Sequence, residues 1–137
     1  MTETTQPSSI QLEPTDRTPD VAFDFAARRL SIAGESYPED AASFYGPLLR
    51  SLQGYLAEPG AGGIVLDVRL VYFNSSSAKA LMNMFQMLEN AAARGVDVAI
   101  NWRFHVDDDI MQEFGEDFGQ DFEHARFILC PESGSHS

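Results

Sequence analysis

"IVLDVRLVYFNSSSAKALMNMFQML", residues 64–88, decides how this 137-residue chain folds. Ile64, Leu66, Val68, Leu70 and Tyr72 are all apolar, while Asp67 and Arg69 fall between Val65 and Val71. That period of two predicts a central strand with one drier face. Beyond the serines the period changes. Leu81, Met84, Phe85, Leu88 and Ala92 recur at helical spacing, and Gly95 after Arg94 reads as a helix stop. Between strand and helix stand Asn74, Ser75, Ser76 and Ser77, followed by Lys79, the only lysine of the chain. Such a turn needs one N-cap, for which Asn and Ser are preferred. The hydroxyls left over sit at the positive end of a helix, where N–H groups and the macrodipole favour an anion. Lys79 opposes that dipole by roughly a few tenths of a kcal/mol. It fits better beside an anionic group, although a solvated lysine is the simpler account. Physics alone ranks capping and surface polarity ahead of a modified or anion-binding turn.

Working outward, "VAFDF" (21–25) and "RLSIAGE" (29–35) both alternate and predict a hairpin. Ser36 and Glu39 have capping-box spacing, which predicts a helix to about Glu58, with Leu48, Leu52, Tyr55 and Leu56 on one stripe. Gly46-Pro47 predicts either a kink or a second helix beginning at Pro47. "VDVAINWRF" (96–104) is a clean strand. A third helix is expected over about 107–118 with Ile110, Met111, Phe114 and Phe118 inward, and "ARFILC" (125–130) is a last strand. The order β-β-α-β-α-β-α-β implies parallel neighbours in the second half. The recurring polar strand face puts the helices mainly on one side. The expected fold is therefore a two-layer α/β domain with a mixed sheet of about five strands. Residues 1–19 and 131–137 read as flexible tails around a domain at 20–130.

Composition narrows the function. Net charge is −12, which argues against nucleic acid and anionic membrane as partners. No apolar run reaches the roughly 18 residues of a membrane span. The polar N-terminus shows no secretion signal, and the single Cys130 excludes an intrachain disulfide or a zinc cluster, so a cytoplasmic setting is expected. Eight carboxylates without a Lys or Arg lie between Asp107 and Glu123, most simply a solvated acidic face. Enzyme signatures such as GxSxG, a P-loop, HExxH or CxxC are missing, so neither catalysis nor a metal or cofactor is expected. His105 and His124 read as surface residues, with His136 in the tail.

The strand and serine turn "LDVRLVYFNSSSAKAL" resemble the STAS domains of anti-sigma-factor antagonists, in which a serine at this turn is phosphorylated to exchange partners. Their Asp-Ser-Ser-Gly signature is absent: Asn74 stands for the aspartate and Ser77 for the glycine. A closer resemblance is to the SiaC-type regulatory phosphoproteins, a branch of STAS-like fold. It rests on "GESYPEDAASFYGPLL" (34–49), "LVYFNSSSAKALMNMFQML" (70–88), "GVDVAINWRF" (95–104) and "EFGEDF" (113–118). The resemblance implies a non-catalytic switch modified by a Ser/Thr kinase and reset by a PP2C-like phosphatase. Its unmodified form would bind and activate a diguanylate cyclase, raising cyclic di-GMP and promoting biofilm or aggregation. It points to Ser75 as the phosphoacceptor, with Ser76 as the alternative. Tyr72, Asn74, Ser76, Ser77, Lys79 and Met82 would then meet the partner. The competing reading is a STAS-like module that binds a small ligand or lipid at the same helix N-terminus without covalent modification. Sequence leaves the oligomeric state open.

Overall fold

Strand order equals chain order in this protein. The computed structural model describes residues 9–57 and 62–133. These form β1 (Ser9–Leu12), β2 (Asp20–Asp24), β3 (Arg29–Ser36), α1 (Ala41–Ala57), β4 (Gly63–Phe73), α2 (Ser75–Ala93), β5 (Asp97–His105), α3 (Asp109–Gly119) and β6 (Arg126–Glu132). The six described strands make one sheet in the order β1-β2-β3-β4-β5-β6. β1, β2 and β3 pair antiparallel, and β3 to β6 pair parallel. Three successive parallel crossovers step the same way, which with right-handed connections places α1, α2 and α3 on one face.

The α/β class agrees with the expectation, and the sheet has one strand more than expected. Ser9–Leu12 lies in the segment read as a tail, yet it pairs along the β2 edge, and Ile10 and Leu12 pack against the core. Four residues are too few for alternation to announce a strand. β6 likewise continues to Glu132, past the expected boundary at 130. Residues 1–8 and 134–137 of the expected tails lie outside the described residues.

The helix-facing side of the sheet carries Val21, Phe23, Leu30, Ile32, Ile64, Leu66, Val68, Leu70, Val98, Ile100, Trp102 and Phe104, all buried. Against it pack Tyr45, Leu48, Leu52 and Leu56 of α1, and Leu81, Met84, Phe85 and Leu88 of α2. α1 runs unbroken through Pro47. α2 ends in a Schellman motif: Val96 N–H reaches Ala91 O, Gly95 N–H reaches Ala92 O, and Gly95 takes φ +106°.

Trp102 is buried and donates Nε1–H to Met111 O at 2.8 Å, tying β5 to α3. Gly115 lets α3 come this close. A Cβ there would lie 2.5 Å from Trp102 Cδ1 and 2.6 Å from Leu129 Cδ2. Mid-helix glycine costs about 1 kcal/mol relative to alanine, and close packing on Trp102 accounts for it. Ile110, expected inward, is 65% exposed, because α3 turns Met111 and Gly115 to the sheet.

The uncovered sheet face is polar. Asp67 accepts from Asn101 Nδ2 at 2.9 Å and Arg103 Nε at 3.0 Å, while Arg69 forks onto Glu132 with both bonds at 2.9 Å.

Candidate functional site

The serine turn sits where the parallel strand β4 ends, and a bulge shapes it. β3 and β4 keep register to Gly34↔Leu70, after which Glu35 pairs with Tyr72, leaving Val71 as the extra residue. One extra residue reverses the faces beyond it. Tyr72, expected on the apolar face with Leu70, is therefore turned outward and 49% exposed. Its ring meets Tyr37 edge-on at 5.7 Å. Phe73 turns inward instead, onto Phe114 at 4.8 Å and Trp102 at 6.1 Å.

Asn74 is the cap. It is extended (φ −90°, ψ 177°), and its Oδ1 accepts Ser77 N–H at 2.9 Å. Its carbonyl accepts the first intrahelical bond, from Ala78 N–H, at 2.9 Å. The capping requirement is thus met without any serine hydroxyl, and the three serines divide by position. Ser75 and Ser76 are exposed in the first turn of α2, whereas Ser77 is 0% exposed.

Ser77 was expected on the partner surface and belongs instead to a buried hydroxyl cluster. Its Oγ lies 2.8 Å from Ser36 Oγ, which lies 2.6 Å from Tyr45 Oη. Asn74 N–H also donates to Ser36 O at 3.1 Å, so the end of β3 holds the start of α2 through both backbone and side chain. Burial pushes the Tyr45 phenol up, beyond what its bonds to Ser36 and Ser77 offset, so it stays a neutral hydroxyl. Left unpaired, each buried hydroxyl would cost about 1–3 kcal/mol. Ser36 is therefore no helix cap. α1 begins five residues later, where Asp40 Oδ1 accepts Ser43 N–H at 3.1 Å and Oδ2 accepts Ser43 Oγ–H at 2.8 Å.

Of the residues expected at the site, Tyr72, Asn74, Ser75, Ser76, Lys79 and Met82 gather around the start of α2. Lys79 is exposed and Met82 is 52% exposed, while Met84 is core. Ser36, Tyr45 and Arg50 were not anticipated. They are distant in sequence: pairing of β3 with β4 brings Ser36 here, and the packing of α1 against α2 brings Tyr45 and Arg50. His105 Nδ1 accepts Asp107 N–H at 3.0 Å, and His124 Nδ1 lies 2.9 Å from Glu89, so neither imidazole is paired with a turn serine. Among the described residues no group of three or more His, Cys, Asp or Glu side chains is placed to hold a metal ion.

Residues 12–132 match the family described as SiaC family regulatory phosphoprotein. The chain belongs to that family. An uncharacterized protein of Pseudomonas aeruginosa (strain UCBPP-PA14) is 34% identical over 114 residues, covering 83% of this chain and 90% of that protein. The crystal structure of apo-SiaC from P. aeruginosa superposes with a TM-score of 0.81 at 34% identity, covering 90% of this chain and 99% of that one. A crystal structure of the diguanylate cyclase SiaD in complex with its activator SiaC, from the same organism, matches with a TM-score of 0.82 at 32% identity. It covers 88% of this chain and 98% of the matching chain. The family span reaches from the end of β1 to the end of β6 and contains every residue of the serine turn. No helix of this SiaC-family chain, among the described residues, is long and apolar enough to cross a membrane.

Proposed function

We propose that the chain is a non-catalytic, cytoplasmic partner switch. Its unmodified form binds and activates a diguanylate cyclase, which raises cyclic di-GMP and promotes biofilm or aggregation. A Ser/Thr kinase phosphorylates Ser75, with Ser76 the alternative, and this releases the cyclase. A PP2C-like phosphatase restores the binding form.

One observation carries the reading: in a regulatory-phosphoprotein family member, two free hydroxyls stand in the first turn of a helix whose cap is already supplied by Asn74. A phosphoryl group adds about −1.5 to −2 charges. At a helix N-terminus it meets backbone N–H groups and the positive end of the dipole, so the domain stays folded. A partner covering Tyr72, Asn74, Ser76, Lys79 and Met82 would have to bury that dianion, at a cost of several kcal/mol.

The test is intact mass of the protein from its own host, with and without phosphatase, beside cyclase binding by Ser75→Ala and Ser75→Asp. Ser75→Ala should bind and resist phosphorylation, and Ser75→Asp should bind more weakly. Stoichiometric labelling at Ser76 in Ser75→Ala would move the acceptor. An unmodified mass in every condition, with anion binding at the turn, would favour the ligand-binding module instead.

A further inference from the structure

Two cations of this acidic protein stand uncommitted, and they stand together. Of the nine Lys and Arg side chains, Arg17, Arg29, Arg69, Arg103 and Arg126 hold ion pairs with carboxylates. Arg94 donates to the Leu56 carbonyl, and Arg28 lies beside the Tyr55 hydroxyl. Arg50 and Lys79 have no ion pair or hydrogen bond among the described residues. Both are exposed, and both line one groove of about 640 Å³ between α1 and α2, together with Ser76 and Asn83.

The two carboxylates on the groove wall are already engaged. Asp40 caps α1 through Ser43, and Glu39 pairs with Arg17 at 3.3 Å. Arg50 folds back along its own helix: a Cβ on Gly46 would lie 3.3 Å from its Nη1. Lys79 is three and four residues beyond Ser76 and Ser75, hence on the neighbouring turn, and its Cα–Cβ bond tilts toward the helix N-terminus, where the serines are. Arg50 and Lys79 are thus the two groove cations that no carboxylate pairs with, in a chain of net charge −12.

We propose that this groove seats a carboxylate-bearing segment of the partner protein on Arg50 and Lys79, and that the turn's phosphoryl group displaces it by taking the same cations. The proposal rests on the partner-switch reading and adds to it the acidic chemistry of the partner segment and a binding residue, Arg50, outside the turn. The competition favours the phosphoryl group. It is tethered one turn from Lys79, so its effective concentration is on the order of mM or above, and it carries about twice the charge of a carboxylate.

The test uses the full chain, its Arg50→Gln, Lys79→Gln and double variants, and the diguanylate cyclase of the source organism that binds the wild-type chain. Each single variant should bind roughly tenfold more weakly. The double variant should lose most of the salt dependence seen for wild type between about 0.05 M and 0.3 M salt. A partner-free arm follows the phosphorylated chain by ³¹P NMR titration. The second phosphoryl pKa should lie below about 6 in wild type and return toward about 6 in the double variant. Unchanged cyclase affinity in the double variant overturns the proposal, and so does an unchanged ³¹P titration. A wild-type chain that binds no cyclase overturns the switch reading itself, a different outcome from tight binding that ignores Arg50 and Lys79.

Discussion

Glu89 holds down the segment between α3 and β6, and replacing it by glutamine isolates one charge at a defined site. Its carboxylate accepts Ala125 N–H at 2.9 Å and the N–H groups of Glu123 and His124 at 3.1 Å, with His124 Nδ1 at 2.9 Å. Desolvation opposes ionisation, yet the Ala125 N–H, the His124 side chain and the other two N–H groups outweigh it and lower the carboxyl from an ordinary 4.5 to about 2. A shift of that size corresponds to about 3 kcal/mol. The side chain keeps 13% of its surface in water, and screening brings the expected contribution to about 2 kcal/mol. The sign follows from a folded-state pKa below the unfolded one. The contribution is complete above the unfolded pKa and is lost as pH falls toward the folded value, to less than half by about pH 3. Glu89→Gln should therefore be about 2 kcal/mol less stable than wild type at pH 7, and the gap should narrow steadily below about pH 4.5. Urea unfolding followed by fluorescence of Trp102, the only tryptophan and 1% exposed, measures both. A gap of equal size at pH 7 and pH 3, or none at pH 7, would refute the reasoning.

Gly115→Ala gains about 1 kcal/mol of helix propensity but drives a methyl into Trp102 and Leu129. A net loss of roughly 1–3 kcal/mol is expected, with a changed near-ultraviolet circular dichroism of Trp102, and an unchanged or raised melting temperature would contradict it. The turn serines should separate by aspartate substitution. Ser75→Asp and Ser76→Asp should leave stability within about 1 kcal/mol of wild type or raise it, through the helix dipole. Ser77→Asp buries a charge against Ser36 and should cost more than about 3 kcal/mol. Thermal melts showing the three variants alike would remove the distinction.

The alternation of β3, β4 and β5 and the helical period of α2 were readable in sequence, because a sheet with one wet face prints its period of two directly. The failures share a cause. Ser36-x-x-Glu39 fits a capping box locally, but the spacing does not say whether the serine still belongs to a strand. Tyr72 continued the apolar even positions, and the bulge at Val71, set by pairing with β3, reversed it. Ile110 fits an apolar stripe until Gly115 fixes which side of α3 meets Trp102. At the site, Asn74 and the serines were legible as a turn, because capping is local chemistry. Which hydroxyl is buried was not, since Ser77 depends on Ser36 and Tyr45, 41 and 32 positions away in the chain. Arg50 gave no signal at all, as nothing in one helix says what the next will set beside it.

The sheet's sequential order has a consequence for how the chain comes to be folded. Each strand docks on the one made just before it, from the β1–β2–β3 meander through three crossovers to β6. No strand must be inserted between two others already paired, so no completed edge has to reopen. Parallel sheets usually fold slowly, because distant segments must meet before any contact rewards them. Here the longest wait is a single crossover. A chain emerging from the ribosome can add one layer of pairing at a time, and the strand edge it exposes is always the one the next segment covers.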